Sequence, residues 1–166
     1  MLDVGCGTGS LAIAAKRQVG PTGRVDAIDA SPQMIERARK KARKRHADVA
    51  FHLAPAEALP FSDARFDVVV STVMLHHLPR QARQLCAGEI RRVLKPGGRV
   101  LVIDFGSPSG ARRTLIGHFH RHGHSKLEDN IGLLTAVGLQ TVESGAVGMK
   151  NLQFVIAARP AEADQR

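Results

Sequence analysis

The chain has 166 residues, 43% of them hydrophobic and 23% charged, the balance of a single globular domain large enough for a proper core. No apolar run is long enough for a transmembrane helix, and the opening residues read as strand and loop rather than as a charged-then-apolar leader. Two cysteines, Cys6 and Cys86, make neither a disulfide framework nor a metal spacing, so a reducing cytoplasm is the expected setting.

Met1 to Val4 reads as an apolar strand carrying one carboxylate, Asp3. It runs into Gly5-Cys6-Gly7-Thr8-Gly9, glycines spaced two apart. A strand that turns sharply into a helix beside a ligand needs residues that reach positive φ and carry no Cβ. Leu11, Ile13, Ala14 and Ala15 then suggest a helix whose first N–H groups face the ligand. The third glycine stands at position 9, where the dinucleotide fingerprint would place it at Ser10, which argues against a pyrophosphate cofactor. Cys6 reads as the small residue that such a loop needs, not as a reactive thiol.

Arg24 to Asp29 reads as a second strand. Asp29 lies 20 residues after Gly9, where an acid holds a ribose hydroxyl pair in this architecture. Ser31 and Pro32 supply an N-cap and a first helical residue, so the sequence predicts that Asp29 is left free for a ligand. On the following helix Met34, Ile35, Ala38 and Ala42 share one arc, and basic residues fill the remaining surface from 36 to 46. That surface is either a solvated outer face or a site of weak attraction to an anionic membrane or RNA. Without Trp or Tyr in the chain, neither base stacking nor an aromatic cage is supported.

A third strand is predicted at Asp48 to Leu53 and a fourth at Phe66 to Ser71. A helix follows at Gln81 to Leu94, with Leu85, Cys86, Ile90, Val93 and Leu94 as its apolar face. Lys95-Pro96-Gly97-Gly98 is the expected stop, before a fifth strand at Arg99 to Phe105. A helix ending at Val137, with Gly138 as its cap, precedes two strands at Leu139 to Val147 and Leu152 to Ala158. Alternating strands and helices predict a parallel α/β sheet with helices on both faces.

At this point the chain resembles class I S-adenosylmethionine-dependent methyltransferases of the ubiquinone/menaquinone-biosynthesis (methyltransferase type 11-like) group. The resemblance rests on Leu2-Asp3-Val4-Gly5-Cys6-Gly7-Thr8-Gly9, Asp26 to Met34, Ala56-Glu57-Ala58-Leu59-Pro60-Phe61, Phe66 to Ser71, Leu75-His76-His77-Leu78 and Leu94 to Arg99. It covers residues 1–105 strongly. It implies a Rossmann-like sheet of about seven strands with a terminal antiparallel strand, in one domain at 1–159 with a loose tail at 160–166. By the same resemblance Asp3 and Gly5, Cys6, Gly7, Thr8 and Gly9 border the amino-acid end of S-adenosyl-L-methionine. Asp29 accepts from the ribose, Ala30 and Met34 border the adenine, Ala56 meets its edge, and Ser71 lies below the methionine moiety.

The family usually has Gly-Asp-Ala where this chain has Ala54-Pro55-Ala56, so the acid that accepts from the adenine amino group is missing. Glu57 either replaces it or is a surface residue. Methyl transfer to an activated sulfonium needs alignment more than a catalytic triad. His76, His77 and Asp104 are the candidates for a base where the acceptor must lose a proton. His118, His120, His122 and His124 form a second cluster, read as part of a lid rather than as a metal site. The resemblance also implies one or two helices ahead of the first strand, so a misplaced start is expected. The function is then methyl transfer to a small molecule or lipid, nucleic acid being disfavoured. The alternative is a truncated cofactor-binding domain with little or no activity.

Overall fold

The computed structural model describes residues 1–106, 127–148 and 151–161. Its strands are β1 (Leu2–Val4), β2 (Asp26–Asp29), β3 (Ala50–Leu53), β4 (Phe66–Thr72), β5 (Leu94–Phe105), β6 (Gln140–Ala146) and β7 (Leu152–Ala158). The helices are α1 (Ser10–Gln18), α2 (Pro32–Lys44), α3 (Arg80–Val93) and α4 (Leu127–Ala136), with a 3-10 turn at Leu75–His77.

One seven-stranded sheet runs in the order β3-β2-β1-β4-β5-β7-β6. Strands β1 to β5 pair in parallel, and β7 is antiparallel to both β5 and β6. The order reverses between β1 and β4, and a crevice opens beyond the carboxyl ends of the strands at such a switch point. The glycine loop, Asp29, Ser71 and Asp104 lie at or near that end.

Alternation along the strands divides the core in two. Leu2 and Val4 of β1, Val69 of β4, and Val100 and Val102 of β5 join Cys86, Ile90 and Val93 of α3 and Leu134 of α4 on one face. Ala27 and Phe51 join Ala12 and Ile13 of α1 and Ile35, Ala38 and Ala42 of α2 on the other. On that second face Leu101 and Ile103 of β5 are only half-buried, and Val68 of β4 is 40% exposed.

The predicted arc of α2 is the buried one, with Ser31 Oγ accepting the Met34 N–H at 3.4 Å as the N-cap. Two expectations are corrected. Leu85 is 53% exposed, and Ala87 takes the buried position on α3 instead. The Lys95–Gly98 stop is not a loop between elements: α3 ends at Val93 and β5 starts at once. Phe66 pairs with Leu94 but Val68 with Arg99, so the four residues bulge out of register, with Gly97 at φ 78° making the bend. The His118–His124 cluster lies outside the described residues.

Candidate functional site

The glycine loop joins β1 to α1. Gly5, Gly7 and Gly9 all have positive φ, at 77°, 52° and 72°. A Cβ on Gly5 would collide with the Met74 side chain, and one on Gly9 would come within 2.8 Å of the Phe51 ring. Nothing stands within 4 Å of the Cβ position of Gly7. The two outer glycines are therefore demanded by packing from within, and the middle one faces open space where a ligand can touch the backbone. Lys41 of α2 donates to Thr8 Oγ1 at 2.7 Å and Ser10 Oγ at 2.9 Å, tying the loop to the neighbouring helix.

Asp3 is fully buried, and neither carboxylate oxygen has a hydrogen-bond partner. Burial, reinforced by the Asp29 charge, pushes its pKa up from 3.8 to about 7; the Ala12 amide opposes the shift but stands outside hydrogen-bond geometry. An orphaned buried carboxylate costs several kcal/mol, on the order of 1–3 even for a neutral polar group. Such a cost marks a place where a cationic donor belongs. Burial and the Asp3 and Asp29 charges also raise the Cys6 thiol to about 12, which disfavours the thiolate at neutral pH.

Asp29 is not left free, contrary to expectation. Its Oδ2 accepts the Gly7 N–H at 2.8 Å and its Oδ1 accepts the Ser31 N–H at 2.9 Å. The glycine loop and the turn into α2 both aim backbone donors at the end of β2, and the carboxylate is the nearest acceptor. Each oxygen retains a second lone pair, so ribose hydroxyls can still be received. Ala30 is exposed and Met34 half-buried beside it, while Ala54 N–H donates to Asp29 O at 3.1 Å and brings the 54–58 loop alongside. Ala56 is buried in that loop. Glu57 is half-buried and close enough to Cys86 for its charge, after burial, to raise that thiol.

Among the described residues Ser71 Oγ and Gln153 Oε1, the latter on the strand position opposite Asp104, are also buried without a partner. On β4 Ser71 shares a face with Val69, whose partner is Leu2, so Ser71 faces α3 whereas Asp3 faces α1. Asp3 and Ser71 do not converge. Beyond Ser71, Val73 has φ 52°, a costly conformation for a β-branched residue, and its N–H donates to Ile103 O at 2.7 Å. The bend throws Met74 back over Gly5.

The structure does bring together His76, His77 and Asp104. Asp104 is buried at the end of β5. Its Oδ1 lies 2.7 Å from His76 Nδ1 and accepts the Phe105 N–H at 2.8 Å, and its Oδ2 accepts the His76 N–H at 2.9 Å. An ionised carboxylate can only accept, so Nδ1 carries the proton and Nε2 is left as the basic nitrogen. The His77 ring lies against His76, centroids 3.9 Å apart and tilted by 43°, and Arg83 donates to His76 O at 3.2 Å and Leu78 O at 2.9 Å. The pair borders a cleft of about 1120 Å³ between the 76–84 segment and α4, lined in part by Leu78, Arg83, Leu133 and Val137. The role of Arg83 escaped the sequence reading, because its bonds go to main-chain carbonyls that no motif marks.

A sheet switch point, an open glycine loop and an acid at the end of β2 invite comparison with known proteins. Residues 1–98 match the family model described as a methyltransferase domain. The chain belongs to the methyltransferase domain family. It is 38% identical over 110 residues to a demethylmenaquinone methyltransferase of Lactobacillus johnsonii, which covers 65% of this chain and 44% of that protein. It is 40% identical over 105 residues to the ubiquinone/menaquinone biosynthesis C-methyltransferase UbiE of Ralstonia pickettii, covering 63% and 42%. The chain thus spans less than half the length of these relatives. A solved SAM-dependent methyltransferase from Aquifex aeolicus superposes with a TM-score of 0.80 at 24% identity, over 95% of this chain and 80% of that one. The [4+2]-cyclase SpnF superposes with a TM-score of 0.81 at 21% identity, over 96% and 74%. A methyltransferase domain and a cyclase therefore share this fold, and the chemistry must be argued from the site.

Proposed function

We propose that this methyltransferase domain binds S-adenosyl-L-methionine across the ends of β1, β2 and β4 and transfers its methyl group to a small molecule or lipid in the cytoplasm. The observation that carries the reading is the buried Asp3 carboxylate without a donor, behind a glycine loop that is open only at Gly7. The α-ammonium of the methionine moiety is the cationic donor that fits it. Asp29 keeps lone pairs for the ribose, and Ala30, Met34 and Ala56 offer an apolar border to the base. When bound, the cofactor supplies a methyl group already activated on a sulfonium. The chain supplies alignment, and through His76, held by Asp104, a base for an acceptor that loses a proton. The names of the two curated relatives support a quinol-like acceptor, whose hydroxyl or activated ring carbon needs such a base. Isothermal titration with S-adenosyl-L-methionine should give one site per chain, in the roughly 1 μM to 1 mM range usual for enzyme ligands. No heat in that range overturns the reading. Heat without methyl transfer to any quinol or lipid acceptor favours a domain that binds only.

The outer face of α2 supports a further part of this proposal, weak attraction to an anionic membrane. Among the described residues, no ion pair involves Arg37, Arg39, Lys40, Lys41, Arg43 or Lys44. Glu36 is the lone acid on the helix. Like charges four apart, such as Arg39/Arg43 and Lys40/Lys44, each oppose the helix by about 0.2–0.5 kcal/mol. Each cation near an anionic bilayer contributes about 1 kcal/mol of attraction. Vesicles containing phosphatidylglycerol should therefore sediment the protein at low salt, and phosphatidylcholine vesicles should not. Lys40→Glu with Lys44→Glu should weaken the association about 30-fold or more. Equal sedimentation by both kinds of vesicle would refute it. No helix among the described residues is long and apolar enough to cross a membrane.

A further inference from the structure

Arg92, in the last turn of α3, has every guanidinium hydrogen engaged. Nε donates to Glu89 Oε1 at 2.7 Å. Nη1 donates to Phe61 O at 2.7 Å and Asp63 Oδ1 at 2.8 Å. Nη2 donates to Leu59 O at 3.0 Å and Glu89 Oε2 at 2.8 Å. The same Glu89 oxygen accepts the Leu59 N–H at 2.6 Å. Only a planar fork with fixed donor directions can meet two carbonyls and two carboxylates at once. The pair thus grips the main chain of Leu59 and Phe61 and the Asp63 side chain from one side. Leu59 and Phe61, both buried, anchor it from below.

An isolated exposed ion pair would carry little meaning. This one is only part-exposed, and it spends its bonds on a loop rather than on its own helix. The gripped segment directly follows Ala54–Ala58. At its other end that stretch is held by the Ala54 N–H on Asp29 O. Between the two anchors the side chains are three alanines, Pro55 and the half-buried Glu57. Pro55 has no N–H, and its carbonyl already accepts the Ala58 N–H at 3.3 Å. Apart from the Glu57 carboxylate, the polar groups between the anchors are peptide groups, those of Ala56 and Glu57 among them. A side chain can adjust by rotating. A peptide group reads a base edge only where the backbone puts it.

We propose that Arg92 and Glu89 are positioning residues for the nucleoside: by pinning Leu59–Asp63 to α3 they set the height at which the Ala54–Ala58 backbone meets the base, and so set discrimination at the base edge. The proposal rests on the cofactor reading above and assigns to it a residue pair remote from the ligand.

The test compares S-adenosylhomocysteine with S-inosylhomocysteine, which differ at the amino edge of the base, by titration into wild type, Arg92→Met and Arg92→Lys. Wild type should prefer the adenine form. Both variants should lose that preference at least fivefold, because Lys keeps the charge but not the fork. Should Arg92→Met fail to fold, Glu89→Gln keeps the shape and serves in its place. With cofactor varied, KM should rise while kcat at saturation stays near wild type. A purely structural role would lower the melting temperature and weaken both nucleosides by one common factor; an unchanged ratio in all variants therefore overturns the proposal. So does a wild type that binds both forms equally well. A wild type that binds neither overturns the cofactor reading, and this proposal with it.

Discussion

Asp3→Asn should make the free protein more stable and at the same time remove most of its affinity for cofactor. Asp3 is buried, without a partner, and its pKa stands at about 7 against 3.8 in an unfolded chain. The unfolded state therefore releases the Asp3 proton near pH 4, and the folded state keeps it until near pH 7. Folding stability falls as pH rises through that window, by about 1.4 kcal/mol per unit, and levels off above it. The full penalty is on the order of 4 kcal/mol at pH 8. An asparagine amide cannot ionise but still lacks partners, at a cost of roughly 1–3 kcal/mol. The substitution should thus be near neutral at pH 4 and stabilising by about 1–3 kcal/mol at pH 8, a rise in melting temperature of roughly 2–10 °C for a chain of this size. Calorimetry across pH 4 to 8 separates this from a generic effect, since a gain independent of pH would show that the carboxylate is not the source.

Binding should move the other way. A charge-assisted hydrogen bond is worth about 1.5–3 kcal/mol, so the loss in affinity should be about tenfold to more than a hundredfold. In wild type an ammonium ligand must find Asp3 ionised. Its affinity should fall by up to about tenfold per unit as pH drops below 7, and fall again at alkaline pH as the ammonium loses its proton. Stabilisation at the expense of function is expected of a group kept for its ligand.

Sequence and structure agree best where local rules are strongest. The strands β1 to β5 follow apolar runs bounded by turn residues, and α2 follows its cap and its arc of Ile35, Ala38 and Ala42. The glycine loop was legible because positive φ and close packing leave few alternatives to Gly5 and Gly9. Side-chain destinations were not legible. Asp29 was expected to stand free because Ser31 caps α2; a strand end collects backbone donors from every loop that meets it, and no local pattern records that. Leu85 looked like core by spacing alone, yet a neighbouring small residue, Ala87, fits the tight approach of α3 to the sheet. The Lys95–Gly98 run carries the residues of a stop, but pairing with β4 on both sides turns it into a bulge. The Arg92 clamp and the Asp104–His76 contact join residues about 30 positions apart, 29 to 33 for the loop bonds and 28 for the dyad. Chain order could place the loop before β4 beside the end of α3, and the turn after β4 beside the end of β5, but not at hydrogen-bond distance.

That dyad carries the largest expected effect on turnover. His76→Ala should lower kcat by about 10²–10⁴-fold with an acceptor that loses a proton, while cofactor affinity changes little, since His76 faces the cleft and not the glycine loop. Asp104→Asn should resemble it, for a different reason. An amide can offer its N–H to Nδ1, which moves the ring proton to Nε2 and removes the basic nitrogen from the cleft. Asp104 also accepts the N–H groups of His76 and Phe105, so Asp104→Ala, unlike His76→Ala, should destabilise the fold by about 1–3 kcal/mol through two part-buried donors left unpaired. His77→Ala keeps the Asp104 contact and should cost less than tenfold, the loss of one ring contact. The discriminating measurement is the pH dependence of kcat. A wild-type acid limb set by imidazole should vanish in His76→Ala, leaving a slow rate that follows the acceptor's own ionisation. A limb that persists there would assign the base elsewhere and reduce the dyad to a brace for the wall of the cleft.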